Sequence, residues 1–413
     1  MKGMASQGFQ KKMNNPFQSL RHPSFRYYWI GMCISLSGTW MQNIAQPWLA
    51  YTLTKSPLLL SLIGALQFTP ILLFSLFAGV IIDQFPKKNI LVFTQTASMV
   101  ITLILAILVW SGHIAYWHIL VMATLLGLIN TLDMPTRQSF VIELVGKADL
   151  MNAIALNSMV FNAARVVGPA IAGIIMGTWG IALCFFINAA SYMAVVVSLL
   201  FIRPQVVPLR KRSEVRLLSE IKEGLHYIFK STILRNTLFL IAIVGTFVPN
   251  FSVLVPVFAK EILHQGEAGF GLLMSFMGIG SFSGALLIAG RSQSGPNPIL
   301  LYGLPWITAL LMITTGLMTI YWVMALCLAL TGLTFVAFAS SANSTMQLNA
   351  PDYLRGRIMS VYTLVFAGST PFGNLFAGFM SEYFTARGGF VACGLSILIL
   401  MTARLVMKRM NKA

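Results

Sequence analysis

The sequence predicts an all-α membrane protein, with twelve transmembrane helices in two six-helix bundles. Three observations predict it. Of 413 residues, 57% are hydrophobic and only 9% are charged, whereas a soluble domain carries about 25% charged residues. The apolar residues form runs long enough for a helix to cross about 30 Å of hydrocarbon. Lys and Arg concentrate in alternate connectors between those runs.

The runs read, with soft ends, as spans 27–51, 57–82, 89–111, 115–136, 151–176 and 181–202, then 234–258, 269–290, 298–319, 321–345, 358–381 and 388–407. Lipid admits only helices or closed barrels, and runs of this length are helices. With the N-terminus inside, 24 of the 28 Lys and Arg residues lie in inner segments or, as Arg235 and Arg404 do, at the inner ends of spans. Only Lys55, Lys260 and Arg387 lie outside, and Arg165 falls within span five. This asymmetry puts both termini in the cytoplasm. The polar first 26 residues read as a cytoplasmic tail, too long and too uncleavable for a signal peptide. Residues 408–413 read as a second tail.

The polar stretch 203–233 separates an N-terminal bundle, 27–202, from a C-terminal bundle, 234–407. Leu217, Leu218, Ile221, Leu225, Ile228 and Phe229 recur in it at helical spacing, with Ser213 placed to cap and Glu214 in the first turn. It reads as an amphipathic helix on the membrane surface, a connector between bundles. The halves echo each other. Span five carries Gly168-Pro169 and Gly173; span eleven carries Thr370-Pro371, Gly373 and Gly378. Such parallel repeats characterise one class of transporter.

Composition also excludes. The net charge of +17 lies in short connectors and forms no basic domain, so nucleic acid is not a partner. Cys33, Cys184, Cys327 and Cys393 sit singly in apolar runs, without CxxC spacing. They read as small hydrophobes, with no metal, disulfide or cofactor. His22, His113, His118, His226 and His264 are scattered and make no catalytic set, so an enzyme is not expected.

After span two comes Gly79-Val-Ile-Ile-Asp83-Gln-Phe-Pro86-Lys87-Lys88. It reads as a tight turn in which Gly79 admits a neighbouring helix, Asp83 caps or pairs with a partner helix end, and both lysines face anionic headgroups. Asp133-Met-Pro135-Thr-Arg137-Gln138 follows span four. Span five holds Asn162-Ala-Ala-Arg165-Val-Val-Gly168-Pro169-Ala-Ile-Ala-Gly173, a kinked helix with a small-residue face. Arg355-Gly356-Arg357 precedes span eleven.

Together these segments resemble the major facilitator superfamily. They resemble in particular its bacterial drug- and siderophore-exporter branch, to which enterobactin exporters and macrolide efflux proteins belong. The Asp83 turn departs from the superfamily pattern in having Pro86 for the usual Gly and Lys for Arg. The Gly-Pro element is similar to one associated with exporters, and helix packing alone accounts for Gly168, Pro169 and Gly173 equally well. The resemblance implies a secondary transporter in the bacterial inner membrane, exporting a small amphipathic molecule by alternating access. A monomer is expected. A lipid transporter or an importer of the same fold is the alternative. The resemblance also implies a cytoplasmic gate at Gly79, Asp83, Lys87, Lys88, Arg355 and Arg357.

By analogy with transporters of this architecture, the substrate sits near the midplane among spans one, four, seven and ten. Their polar residues are the cavity candidates: Gln42, Asn43 and Gln46; Asn130; Asn250; Ser340 and Asn343. Arg165, near the midplane of span five, joins them, since a buried guanidinium must find water, carbonyls or an anion. Proton coupling stays open. Asp133 is the candidate carrier by depth, and a salt bridge holding the span-four turn explains it equally well.

The charge split predicts accessibility. Cysteines placed at Lys55 or Arg387 should react with an impermeant thiol reagent added to intact cells, and one at Arg212 should not. Reaction at 212 from outside would overturn the twelve-span topology.

Overall fold

The computed structural model describes residues 17–202, 217–290, 297–351 and 353–410. The expected caps at Ser213 and Glu214 lie outside them. After a short turn of 3-10 helix come α1 (Pro23–Thr54), α2 (Pro57–Gln84), α3 (Lys87–Trp110), α4 (Tyr116–Trp179) and α5 (Ile181–Phe201). The connector holds α6 (Leu217–Lys230). Then follow α7 (Thr232–Phe247), α8 (Phe251–Glu261), α9 (Glu267–Gly290), α10 (Pro298–Leu317), α11 (Tyr321–Leu348), α12 (Arg355–Gly368) and α13 (Thr370–Met410).

Among the described residues, nine stretches are long and apolar enough to cross a membrane. Two of them hold two spans each, because the backbone leaves helical geometry at Gly146 in α4 and at Phe384-Thr385 in α13. The twelfth span is α1, 32 residues long and made less apolar by Gln42, Asn43 and Gln46. Among the described residues, Lys87, Lys88, Arg137, Lys147, Arg355 and Arg357 lie towards the helix ends joined by alternate connectors, here called the basic face.

The boundaries correct the sequence reading in three places. The expected loop 137–150 is helical up to Gly146, whose φ of 70° turns the chain into span five; glycine adopts that conformation without steric cost. Span seven breaks into α7 and α8 around Pro249, which lacks the N–H that continues a helix. By contrast, the helix runs unbroken through Gly168-Pro169, whereas the echoing Thr370-Pro371 follows a break between α12 and α13.

Local chemistry fixes several helix starts. Ser56 accepts from Leu59 N at 3.2 Å, with Pro57 as the first helical residue of α2. Asn297 does the same for α10, at 2.9 Å from Ile299 N. Phe93, Ile174, Leu286, Leu310 and Leu326 are exposed on outward faces, as lipid contact requires. Trp110, Trp117, Trp179 and Trp322 are exposed at helix ends on the face opposite the basic one. Tryptophan collects at membrane interfaces.

Glycines bring the helices to backbone contact. A Cβ on Gly280 in α9 would lie 1.7 Å from the Ala329 carbonyl oxygen of α11. Across the halves, a Cβ on Gly173 would lie 2.8 Å from the Glu267 carbonyl oxygen. One on Gly271 would lie 2.4 Å from that of Pro169. Ser61 in α2 meets Gly378 in α13 in the same way, 2.2 Å from its would-be Cβ.

Gly280→Ala should therefore lower the melting temperature of purified protein sharply, since overpacking costs about 1–3 kcal/mol or more. Gly177→Ala, where nothing lies within 4 Å, should leave it unchanged or raise it. Equal melting of the two variants would contradict the packing.

Candidate functional site

A cavity of about 970 Å³ lies between the halves. It runs from Met134, Gln138 and Ile154 near the basic face to Pro47 and Leu60 towards the opposite face. That second end is closed by a clasp in which three carboxylates of the C-terminal half accept from the N-terminal half. Trp48 Nε1 donates to Glu267 at 3.0 Å, and the Tyr51 hydroxyl donates to Glu261. Glu382 accepts from Ser56 Oγ at 2.8 Å and from Leu58 N at 3.1 Å. Trp48 also stacks on Phe270 at 5.3 Å, and Lys260 Nζ lies 5.6 Å from the Trp48 ring.

Five of the eight expected cavity residues line the wall: Gln42, Asn43, Gln46, Asn130 and Arg165. Their roles differ. Gln42 and Gln46 are each only 4% exposed. Gln42 Nε2 donates to Gln46 at 3.3 Å, while its Oε1 accepts from Asn188 at 2.6 Å and from Thr102 at 3.3 Å. These amides tie α1 to α3 and α5. Asn43, by contrast, is exposed on the cavity side.

The other three lie off the wall. Asn250 is fully buried at the α7–α8 break, where its Nδ2 donates to Thr246 O at 2.9 Å and Gly373 presses on it. Ser340 and Asn343 sit towards the end of α11, and Asn343 accepts from Gln347 at 2.6 Å. From span ten the wall takes Phe335 instead. A polar residue in a span marks a face turned from lipid, without saying which neighbour it meets.

Span five contributes more than the sequence suggested. Ile154, Asn157, Ser158, Phe161, Asn162 and Arg165 all face the cavity, at the spacing of one helical face. That spacing was a readable signal. Gln67, Gln95 and Tyr192 also line the wall without having been singled out.

Asp133 is 4% exposed. One of its oxygens accepts from Thr94 at 2.7 Å and Gln95 at 2.8 Å, and the other pairs with Arg137 one turn away. Arg137 was placed in a connector by its sequence position; it is instead a second cation on the cavity wall, neutralised in place.

The basic-face turn differs from expectation. Lys87 pairs with Glu143, and Lys88 donates to the Ile202 carbonyl at 2.8 Å; both lysines bind protein. A Cβ on Gly79 would meet nothing within 4 Å, so no close helix requires this glycine. The Asp83 side chain lies outside the described residues. Arg357 pairs with Glu223 of α6, and a Cβ on Gly224 would lie 3.1 Å from the Arg357 backbone.

Comparison with known proteins agrees with this architecture. A "Staphyloferrin A transporter" of Staphylococcus aureus is 25% identical over 376 residues, covering 90% of this chain and 93% of that protein. A "Multidrug efflux pump Tap" of Mycolicibacterium fortuitum is 25% identical over 386 residues, covering 91% and 93%. The "Enterobactin exporter EntS" of Escherichia coli is 23% identical, covering 92% and 90%. In three dimensions, a bacterial homologue of the human lysosomal transporter Spinster superposes with a TM-score of 0.74 at 12% identity, covering 92% of this chain and 96% of that one. The profile of one family, described as "Transmembrane secretion effector", matches residues 14–412. The chain belongs to that family of the major facilitator superfamily and is a multi-pass membrane transporter.

Proposed function

We propose that the chain exports a small amphipathic molecule, siderophore or drug-like, across the bacterial inner membrane by alternating access. The observation that carries this reading is the cavity between the halves, clasped at one face by Glu261, Glu267 and Glu382. Access from the other face requires that clasp to part. The names of the relatives, an efflux pump and an exporter among them, support the outward direction. The wall suits a bulky ligand, being apolar with a few amides.

In this reading the basic face is cytoplasmic, as the charge asymmetry favours. The halves 27–202 and 234–407 rock about the cavity, with 203–233 as connector. The Asp83 turn, with Arg355 and Arg357, closes the cytoplasmic side in the outward-facing state. The test is loss of compounds from loaded proteoliposomes over a panel of siderophores, drugs and lysolipids. Export of at least one amphipathic organic compound is expected. Transport of lysolipids alone, or uptake alone, would replace export with the lipid or import reading.

Proton coupling is proposed to run through Asp133, the one carboxylate among the described cavity-wall residues. Asp133→Asn should abolish acceleration by a pH gradient while leaving exchange of substrate for substrate intact. Gradient-driven transport at the wild-type rate in that variant would remove Asp133 from coupling.

A further inference from the structure

Arg165 stands on the cavity wall midway through its span, with its guanidinium carbon 5.8 Å from the centroid of the Trp40 ring. Trp40 in turn meets Phe161 edge-on, with centroids 5.6 Å apart. The Arg165 Nε is sealed from solvent and has no acceptor. No described carboxylate pairs with the guanidinium, and its terminal nitrogens donate to no described residue. The side chain they end lines the cavity.

The other charges on the described wall cancel. Asp133 and Arg137 pair with each other, and the remaining capacity of Asp133 is taken by Thr94 and Gln95. The described wall therefore carries one uncompensated positive charge, and Arg165 holds it. A guanidinium at membrane depth is costly unless water, an anion or other hydrogen-bond acceptors meet it. The tryptophan face offsets part of that cost. It supplies no acceptor for the Nε–H. Asn162, one turn before it, donates to the Ser158 carbonyl at 2.8 Å, and amides carry no charge to neutralise a cation.

We infer that Arg165 is the recognition point for an anionic oxygen group, a carboxylate or its equivalent, on the transported molecule. This rests on reading the cavity as the substrate site. The planar fork of arginine matches two carboxylate oxygens at once. Trp40 and Phe161 flank that group from the N-terminal half. Phe251, Met274, Met277 and Phe335 offer an apolar surface from the other half for the body of the ligand. The substrate class is thus an organic anion with an apolar or aromatic body.

The test measures binding, without transport, to full-length protein in nanodiscs. Two probes of one shape are used, 2-naphthoate and the neutral 2-naphthamide, against wild type, Arg165→Lys and Arg165→Gln. Wild type should prefer the acid by at least about tenfold, the worth of a charge-assisted hydrogen bond. Arg165→Lys should keep part of that preference, and Arg165→Gln should lose it while binding the amide as before. Equal wild-type affinity for the two probes, or none for the acid, overturns the inference even where Arg165→Gln fails to fold. A preference for the acid that survives in folded Arg165→Gln overturns it as well. Asn43→Trp, which puts a bulky ring on the exposed cavity side of α1, should weaken both probes alike. If it weakens neither, the cavity reading falls separately from anion recognition.

Discussion

Lipid offers no hydrogen bonds, and the rest of this structure answers to that constraint. A polar side chain in a span must find a partner within the protein or in a water-filled cavity. The chain uses both solutions. Gln42, Asn188, Thr102 and Gln46 satisfy one another and hold α1 to α3 and α5. Asp133 accepts three hydrogen bonds, from Thr94, Gln95 and Arg137, with its two oxygens divided among them. Asn43 and Arg165 are left to the cavity. The Gln42–Asn188 network belongs to the scaffold, and in the proposed reading Arg165 is where a ligand adds what the protein lacks.

The two halves meet in two different ways. Along the spans they touch through glycine and small residues, at Gly173 with Gly271 and at Ser61 with Gly378. Backbones in such contact present a smooth, shallow relief with few interlocking side chains. At the face opposite the basic one they meet through directed hydrogen bonds to three carboxylates. A smooth interface tolerates small rotations, whereas a hydrogen-bonded clasp is either made or broken. That pairing suits a two-state rocking motion, because water can replace each bond when the clasp parts.

The number of spans and their rough positions were legible in the sequence, because lipid forces long apolar runs. The amphipathic pattern from Leu217 onward also announced α6, where a helix stands. Other features were hidden for physical reasons. Asp133, Arg137 and Glu143 interrupt the apolar run of this helix, so hydropathy ended the span before Arg137; the salt bridge weighed for Asp133 was read without its partner one turn away. Lys87 and Lys88 looked like headgroup ligands, since nothing in the local sequence reveals Glu143 or the α5 carboxyl-terminal carbonyl as partners. Asn250, Ser340 and Asn343 were placed in the cavity because a polar residue announces burial without direction. Asn43 and Gln42 are adjacent in sequence, yet one faces the cavity and the other a helix seam; only the rotation of α1 against its neighbours separates them.

The central claim is that the clasp and the basic face open in alternation about the cavity. Spin labels at Lys55 and Arg387 report the clasped face, and labels at Lys147 and Asn349 report the basic one. Distance distributions from double electron–electron resonance, with and without a transported substrate, should change in opposite senses. The first pair should gain a longer population as the second gains a shorter one. Two distributions that stay fixed under all conditions, or that lengthen together, would contradict the account.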